Sequence, residues 1–390
     1  MKRAELLLSM TLGLGLVTGC APSLPPPVAS VPPPPATRTH EPPASVTVVK
    51  TETPPPPVVE EPPPPAKPAV MALSGGTDSP IDRALATGDH ALDAGDLVAA
   101  LRAYEAARVL APHAAAPLVG LGRVRVTKTD LPLDYAAGKG NADVLAAKAM
   151  LKRAVTIDPG FAPGQVELGR VFLLLGDADG AMDSLHRAVA LAPGEAEAHS
   201  VLGVAFLATG HADDAVRELR AAATLDPGSA ERHGNLGTAC LMNGKVADAV
   251  HEYELEVRIS GNDARAHSDL GAALLAGAAG DADLTRAIAE LTRALALDPS
   301  RATFHSNLGY ALQLKGSLPE AIAEYRRALA KDPHLASAWI NLATALAKDP
   351  KTRAEARSAL GEARKIDPTD PRVKANEEEL DALEHGRIAP

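Results

Sequence analysis

Residues 193–226 read PGEAEAHSVLGVAFLATGHADDAVRELRAAATLD, and the stretch that begins at Pro227 repeats this layout. In each stretch a proline is followed nine residues later by a Leu-Gly pair, and two helical patterns follow one another before the next proline. Pro159, Pro193 and Pro227 succeed one another at steps of 34 residues. A fixed period of this length is typical of arrays of helix–turn–helix units. The sequence therefore predicts an all-α solenoid.

The same landmarks recur along most of the chain. A Leu-Gly or Leu-Ala pair lies nine residues after a Pro or Gly at Leu121-Gly122, Leu168-Gly169, Leu202-Gly203, Leu236-Gly237, Leu270-Gly271, Leu308-Gly309 and Leu342-Ala343. Small residues allow helices to cross closely. We therefore expect the helices to pack through these pairs, with larger residues filling the gaps between them.

Each unit also has a second helical pattern with a landmark of its own. It carries an alanine in all eight units, at Ala100, Ala147, Ala181, Ala215, Ala249, Ala287, Ala321 and Ala356. A larger apolar residue follows four positions later, such as Leu219 or Tyr253, and another small residue comes three positions after that. Glu256 breaks the last rule.

Glycines close the first helical pattern in five of the units. They are Gly95, Gly176, Gly210, Gly244 and Gly316. Glycine is enriched after helix ends because it adopts a left-handed backbone conformation without strain. We therefore expect a turn between the two helices of a unit at each of these positions.

Composition narrows the functional classes. The chain has 390 residues, is 46% hydrophobic but only 3% aromatic, and carries a formal net charge of −10. An acidic chain without a basic cluster is not expected to bind nucleic acid. There is no Gly-rich phosphate loop, G-x-S-x-G, H-E-x-x-H or Cys-x-x-Cys motif, so we expect neither an enzyme nor a cofactor or metal site. The two cysteines, Cys20 and Cys240, are not expected to pair.

The repeat resembles the tetratricopeptide repeat (TPR), whose consensus runs W-x2-L-G…Y…G…A…F…A…P. Trp339-Ile340-Asn341-Leu342 is the fullest match to its first helix. The resemblance extends over about residues 81 to 370. It implies a right-handed superhelix of helix pairs, a TPR α-solenoid, which binds proteins or extended peptides in its concave groove and performs no chemistry.

Eight units are predicted within a repeat domain at 79–370, followed by a capping helix and tail at 371–390. The units are 81–114, 115–161, 162–195, 196–229, 230–263, 264–301, 302–335 and 336–370. The second carries about thirteen extra residues around 127–143, and the sixth carries four extra. The fifth has Glu256 at a normally small, buried position, which predicts a local weak point because a carboxylate there must reach solvent or a partner. Val373, Leu380 and Leu383 are expected on the inner side of the cap.

The N-terminus is predicted to be a lipoprotein signal peptide at 1–19. Lys2 and Arg3 precede a short apolar run that ends in Val17-Thr18-Gly19-Cys20, which resembles the bacterial lipobox. That resemblance implies cleavage before Cys20 and its acylation, so that lipid anchors the protein to a membrane. Residue 21 is Ala rather than Asp, which by resemblance favours the outer membrane, facing the periplasm. An ordinary secretory signal or an uncleaved anchor is the alternative.

Residues 20–78 are predicted to be a lipidated N-terminus and a disordered, proline-rich linker. Proline fixes φ and removes a hydrogen-bond donor, so this stretch favours extended polyproline II and cannot build a core. A ligand for a proline-reading groove is the functional alternative to a plain spacer. Ser79-Pro80-Ile81-Asp82 then starts the folded part, with Ser at the N-cap and an acid at the third helical position.

Four histidines share one register position, at His199, His233, His267 and His305. A metal site is not expected, because Zn–N bonds are about 2.0–2.1 Å long whereas neighbouring packed helices lie about 8–10 Å apart. The TPR family carries Trp at this position, so we expect the rings to pack in the same way. Cys240 is expected to be a buried small hydrophobe.

Candidate binding residues immediately precede the Leu of the Leu-Gly pair. They are Asn235, Asp269, Asn307 and Asn341. In TPR arrays this position faces the groove, and in a TPR-containing glycosyltransferase family asparagines here bind the peptide backbone. An amide offers a donor and an acceptor to a peptide unit, so we expect exposed side chains that bind a peptide. The alternative is a hydrated helix face. The carboxylate clamp of chaperone-binding TPR domains is not met, since only Arg170 and Arg265 are expected on this face.

The sequence thus predicts a lipid-anchored TPR scaffold of a bacterial cell envelope, which holds protein partners for assembly of an envelope complex. Two alternatives remain at this point. One is an accessory subunit of a cell-wall enzyme, and the other is a structural spacer without a groove ligand. The sequence does not indicate an oligomeric state.

Overall fold

The computed structural model describes residues 71–131, 135–278 and 280–385. The predicted signal peptide, Cys20 and the linker up to residue 70 lie outside the described residues. All regular structure within the described ranges is helical, which confirms the predicted all-α class.

Seventeen α-helices follow one another in the part of the chain that the structure describes. They are α1 (Pro80–Asp93), α2 (Leu97–Leu110), α3 (Ala115–Lys128), α4 (Ala142–Ile157), α5 (Ala162–Leu175), α6 (Ala178–Leu191), α7 (Ala196–Ala208), α8 (Ala212–Leu225), α9 (Ala230–Met242), α10 (Val246–Ile259), α11 (Ala264–Ala276), α12 (Asp281–Leu297), α13 (Ala302–Leu314), α14 (Leu318–Lys331), α15 (Ala336–Ala347), α16 (Arg353–Ile366) and α17 (Pro371–Glu384). A single 3₁₀ turn, Pro350–Thr352, precedes α16.

The helices form two layers. Each odd-numbered helix packs most extensively against the even-numbered helix that follows it, and each pair stacks on the next. Successive odd-numbered helices also contact one another, from α1 with α3 to α13 with α15, whereas no comparable contact joins successive even-numbered helices among the described residues. The odd-numbered helices therefore form the inner, concave layer of the solenoid. This arrangement confirms the predicted TPR α-solenoid.

The Leu-Gly landmarks mark where the two helices of a pair cross. The glycine of each pair lies against the large residue of the even-numbered helix, so that a Cβ at Gly271 would lie 2.6 Å from Leu291 Cγ and one at Gly237 would lie 2.9 Å from Tyr253 Cε1. Those are distances that real Cβ contacts do not reach. The large residue thus fills the space that a side chain at the glycine would occupy.

The helix ends follow the predicted signals. The five glycines expected to close the first helix of a unit all have positive φ, between 70° and 85°, a region that favours glycine. At the start of α1 the Ser79 side chain accepts a hydrogen bond from the Asp82 amide. At the other end α17 buries Val373, Leu380 and Leu383 against the array, as the sequence predicts.

The folded part extends further towards the N-terminus than the repeat pattern indicates. Met71 and Leu73, which we assigned to the linker, are buried in the core. The Leu73 amide donates a hydrogen bond to Asp89 Oδ2, 2.9 Å away, and Arg123 Nη2 donates to the Met71 carbonyl, 3.0 Å away. The assignment of a disordered linker up to residue 78 is therefore wrong for these residues, because two apolar side chains and two backbone bonds fix them.

The insertion of the second unit packs against the third unit. The amide of Ala136 donates to the Leu173 carbonyl at 2.9 Å, and the amide of Gly138 donates to the Leu174 carbonyl at 2.8 Å. These bonds satisfy carbonyl groups at the C-terminal end of α5, which have no partners within the helix. The described part of the insertion thus caps α5.

Candidate functional site

The odd-numbered helices carry a series of polar side chains, several of which bridge one helix to the next, and we call this side of the solenoid the inner face. It runs from Asp89 on α1 to Asn341 on α15. Its chemistry changes along the array, which divides it into three zones.

The first zone consists of paired charges in units one to five. Arg123 on α3 bonds Glu167 on α5 at 2.7 Å, and Arg170 on α5 pairs with Glu197 on α7. Glu197 also accepts from Arg232 on α9, at 3.3 Å. Each pair joins two odd-numbered helices, so the charges neutralise one another inside the protein. Arg123 and Arg232 correct the expectation that only Arg170 and Arg265 belong to this face.

A non-helical segment of the chain covers the start of this zone. Residues 71–75, which we call the strap, are bound through their backbone by side chains of α1 and α3. Arg123 binds the Met71 carbonyl, Asp89 the Leu73 amide, and Asp82 the Gly75 amide at 2.7 Å. The solenoid thus already recognises a non-helical backbone through side chains.

The second zone lies where units five and six meet, and it contains two of the predicted binding residues. Asn235 is only 2% exposed, and its Nδ2 has no hydrogen-bond partner. The expectation that Asn235 is exposed is therefore wrong, because α9 packs against α7 and α11 in its own layer as well as against α8 and α10. Asp269 is half-buried, and its Oδ2 also lacks a partner. Both side chains thus carry a buried polar atom whose bonding capacity is unused.

Glu256 on α10 belongs to the same zone. It is 3% exposed, and its carboxylate lies against Gly234 on α9, where a Cβ would be 2.6 Å from Glu256 Oε1. Its other oxygen, Oε2, has no partner. The glycine before Asn235 thus makes room for a carboxylate that replaces the small residue of the other units.

Burial changes the acidity of these groups. The pKa of Glu256 is raised well above its usual range, first because the carboxylate has lost water and then because Asp269 repels it. Desolvation raises the pKa of Asp269 to about 7, although Arg265 acts in the opposite direction. Burial also raises the pKa of Glu231 against the attraction of Arg170 and Arg232. The zone therefore retains protons that exposed carboxylic acids lose.

The third zone, in units six to eight, is polar but uncharged. Asn307 on α13 and Asn341 on α15 are half-buried. Asn307 Nδ2 lies 3.5 Å from Ser268 Oγ on α11, which is a long hydrogen bond. At the end of the array, Thr344 Oγ1 donates to Asn376 Oδ1 on α17 at 2.7 Å. Asn235, Asp269, Asn307 and Asn341 thus lie on successive odd-numbered helices, and whether they bind a peptide remains a prediction.

The four histidines of one register have a role that the sequence analysis missed. His233 Nδ1 lies 2.7 Å from Glu252 Oε2, and its Nε2 lies 3.1 Å from the Pro227 carbonyl. The same two contacts recur at the other three histidines. Trp339 Nε1 and Gln165 Nε2 donate to the equivalent carbonyl in their own units. This position therefore supplies a donor to the turn between units.

The glutamate partners had a signal in the sequence. Each lies 19 residues after its histidine, or 23 residues after in the sixth unit, which carries four extra residues. Units without the histidine carry Ala, Met or Ser at the glutamate position, as at Ala103, Met150 and Ser184. Comparing the two registers along the repeats would have found the pairs.

The described residues contain no group of three or more His, Cys, Asp or Glu side chains that could hold a metal ion. Cys240 is buried, and burial raises the pKa of its thiol, as expected for a core residue. None of the described helices has the length and apolar character needed to cross a membrane.

Comparison with known families identifies the class of protein. Sequence models of the tetratricopeptide repeat match residues 85–133, 140–205, 200–265, 270–336 and 316–371. These matches cover more than half of the chain. The chain therefore belongs to the tetratricopeptide repeat family, whose domains bind protein or peptide partners. A search of curated protein sequences finds no match.

Several solved structures are similar to this chain. The Cut9–Hcn1 hetero-tetramer of the APC/C matches over 78% of this chain and 57% of the other, at 18% identity and a TM-score of 0.55. PilF of Pseudomonas aeruginosa matches over 57% of this chain and 98% of its own, at 19% identity and a TM-score of 0.47. YrrB, described as a TPR protein with an unusual peptide-binding site, matches over 51% of this chain and 100% of its own, at 19% identity and a TM-score of 0.39. At these identities the likeness concerns the fold alone.

Proposed function

We propose that this protein is a lipid-anchored TPR scaffold of a bacterial cell envelope that binds an extended segment of a partner protein along its inner face. The lipid is attached at Cys20, and the repeats hold partners for assembly of an envelope complex. The outer membrane, facing the periplasm, is the proposed location.

The strap is the observation that carries this proposal. In units one and two, side chains of the odd-numbered helices bind a carbonyl and an amide of a non-helical segment. In units five to eight, the same layer of helices carries Asn235, Asp269, Asn307 and Asn341. Their amide and carboxyl groups can likewise donate to a backbone carbonyl or accept from a backbone amide. A partner segment would therefore be bound through its backbone, as the strap is.

Capture from solubilised membranes tests the binding surface. The full chain is compared with the triple variant Asn235→Ala, Asn307→Ala, Asn341→Ala. A hydrogen bond contributes about 0.5–1.5 kcal/mol, so three lost bonds would weaken binding by roughly 1.5–4.5 kcal/mol if they are additive. The melting temperature of the variant is the control for folding. Equal capture by both proteins would move the binding site elsewhere, and a chain that captures no protein would favour a structural spacer.

Lipid attachment is tested separately. Labelled palmitate should enter the wild-type chain, and Cys20→Ser should abolish both the label and retention in the membrane fraction. Cys240→Ser is the matched control and should retain both. Label that persists in Cys20→Ser would contradict the proposed anchor.

A further inference from the structure

The junction of units five and six differs from the rest of the inner face in its balance of charge. The buried carboxylates of units three and four have guanidinium partners, since Glu167 pairs with Arg123 and Glu197 pairs with both Arg170 and Arg232. The charged network is therefore complete there without any external ion.

At the junction the carboxylates outnumber the cations. Of the charged groups that act most strongly on the pKa of Glu256, three are carboxyl groups, those of Asp269, Asp263 and Glu231, and one is a guanidinium, that of Arg265. Arg170 and Arg232 already pair with Glu197. A buried carboxylate without a partner is costly, so this set of residues has room for one more positive group.

Several buried side-chain atoms at the junction make no hydrogen bond. Glu256 Oε2 and Asp269 Oδ2 are acceptors, whereas Asn235 Nδ2 and Arg232 Nη1 are donors. Asn235 is only 2% exposed. It directly follows Gly234, against which the Glu256 carboxylate lies. A lysine or arginine residue of an extended peptide matches this pattern, because its cation donates to carboxylates and its carbonyl accepts from an amide.

Two residues of unit five depart from the repeat pattern and together make room for the Glu256 carboxylate. Glu256 occupies a position where the other seven units carry Ala, and Gly234 takes the place of a residue with a side chain in the other units that have the Leu-Gly or Leu-Ala pair. These two departures fit one another, since any side chain at 234 would meet the carboxylate. Asp269 is half-buried, so the site reaches the surface of the inner face there.

We infer that the junction of units five and six binds a lysine or arginine side chain of the partner segment, with Glu256 and Asp269 accepting from its cation and Asn235 donating to its backbone. This inference rests on the proposed function, because it names the chemistry of a segment that lies along the inner face. Binding of the cation ionises the two carboxylic acids, so protons are released and affinity rises with pH through about 7, the pKa of Asp269. The charged and titratable groups that face Glu256 are Glu231 on α9, Tyr253 on α10, and Asp263, Arg265 and Asp269 on or before α11.

A random peptide library displayed on phage is the probe. The full mature chain selects peptides, and the selection is repeated with the double variant Glu256→Gln, Asp269→Asn, which keeps the shape of both side chains. Wild type should enrich peptides with Lys or Arg at one fixed position, and the double variant should lose that preference while still binding peptides. Glu256→Ala, which restores the residue of the other units, is a second variant in case the amides disturb folding.

Affinities of one selected peptide then quantify the site. Replacing its basic residue with norleucine should weaken binding to wild type about 10- to 100-fold, as expected for a charge-assisted hydrogen bond, and should leave binding to the double variant unaltered. Peptides selected without any basic residue, or a preference that survives in the double variant, would overturn the cation site and leave the proposed function intact. Failure to select any peptide that depends on Asn307 and Asn341 would instead overturn the proposed function.

Discussion

The fit between Gly234 and Glu256 leads to a prediction in which the sign of one substitution depends on a residue 22 positions away. Gly234→Ala places a Cβ 2.6 Å from Glu256 Oε1, and overpacking of this kind costs about 1–3 kcal/mol. Alanine in a helix is more favourable than glycine by about 0.5–1 kcal/mol. In the wild-type chain the substitution should therefore reduce the free energy of unfolding, by up to about 2.5 kcal/mol.

In a Glu256→Ala chain the same substitution should stabilise. The clash is then absent and only the gain in helix propensity remains, about 0.5–1 kcal/mol. Glu256→Ala alone loses one buried methylene, worth about 0.8 kcal/mol, together with a carboxyl group that has a buried polar atom without a partner, which costs about 1–3 kcal/mol. Its stability should therefore stay within about 2 kcal/mol of wild type, on the stabilising side.

Guanidinium chloride denaturation followed by far-UV circular dichroism measures all four proteins of this double-mutant cycle. The interaction energy should be about 1–3 kcal/mol. Gly361→Ala on α16 is the matched control, because a Cβ there meets no atom within 4 Å, and its effect should not depend on residue 256. If Gly234→Ala stabilises wild type as much as it stabilises Glu256→Ala, the packing of Glu256 against Gly234 is refuted.

Three further predictions concern stability. The pKa of His233 is raised, first by its hydrogen bond to Glu252. The protonated imidazole therefore adds to the free energy of unfolding below the unfolded pKa near 6.5, and this stabilisation is lost as pH rises through the folded pKa. Asp269, with a pKa of about 7, is also protonated in the fold, so stability should fall between about pH 5 and 8. Denaturation at both pH values should show a smaller fall in His233→Gln and in Asp269→Asn, and an equal fall would contradict the assignment. Gly271→Ala should destabilise by up to about 2.5 kcal/mol, because its Cβ meets Leu291, whereas a gain like that of Gly361→Ala would show that the crossing tolerates a side chain. A chain that begins at residue 79 should be less stable than one that begins at residue 71, by about 3 kcal/mol or more from the burial of Met71 and Leu73, and equal denaturation midpoints would show that the strap is not bound.

The class of fold could be predicted because its determinants repeat. The Leu-Gly pairs, the large residue opposite them and the closing glycines each occur at a fixed register, so each unit confirms the reading of the others. The physical reason is local: a glycine at a helix crossing and a glycine at a helix end both act within one unit. The C-terminal helix was also recognisable, because Val373, Leu380 and Leu383 follow helical spacing.

The parts that could not be predicted depend on contacts between units. Arg123 and Glu167 lie 44 residues apart, and Arg123 and Met71 lie 52 apart, and neither spacing is repeated elsewhere. The strap has no period at all, so Met71 and Leu73 read as the end of a linker. Asn235 was expected to be exposed from its register alone, but the register does not show how closely neighbouring odd-numbered helices approach. The pairing of Gly234 with Glu256 occurs in one unit, so no other unit could reveal it.

Site-specific photo-cross-linking tests the central claim, that a partner protein binds along the inner face. A benzoylphenylalanine residue is placed at Asn341 on α15, and in a second protein at Arg220 on α8, whose side chain is exposed on the even-numbered layer. Irradiation of native membranes should link the partner to position 341 and not to position 220. A partner that is linked at position 220 but not at position 341 would contradict the account.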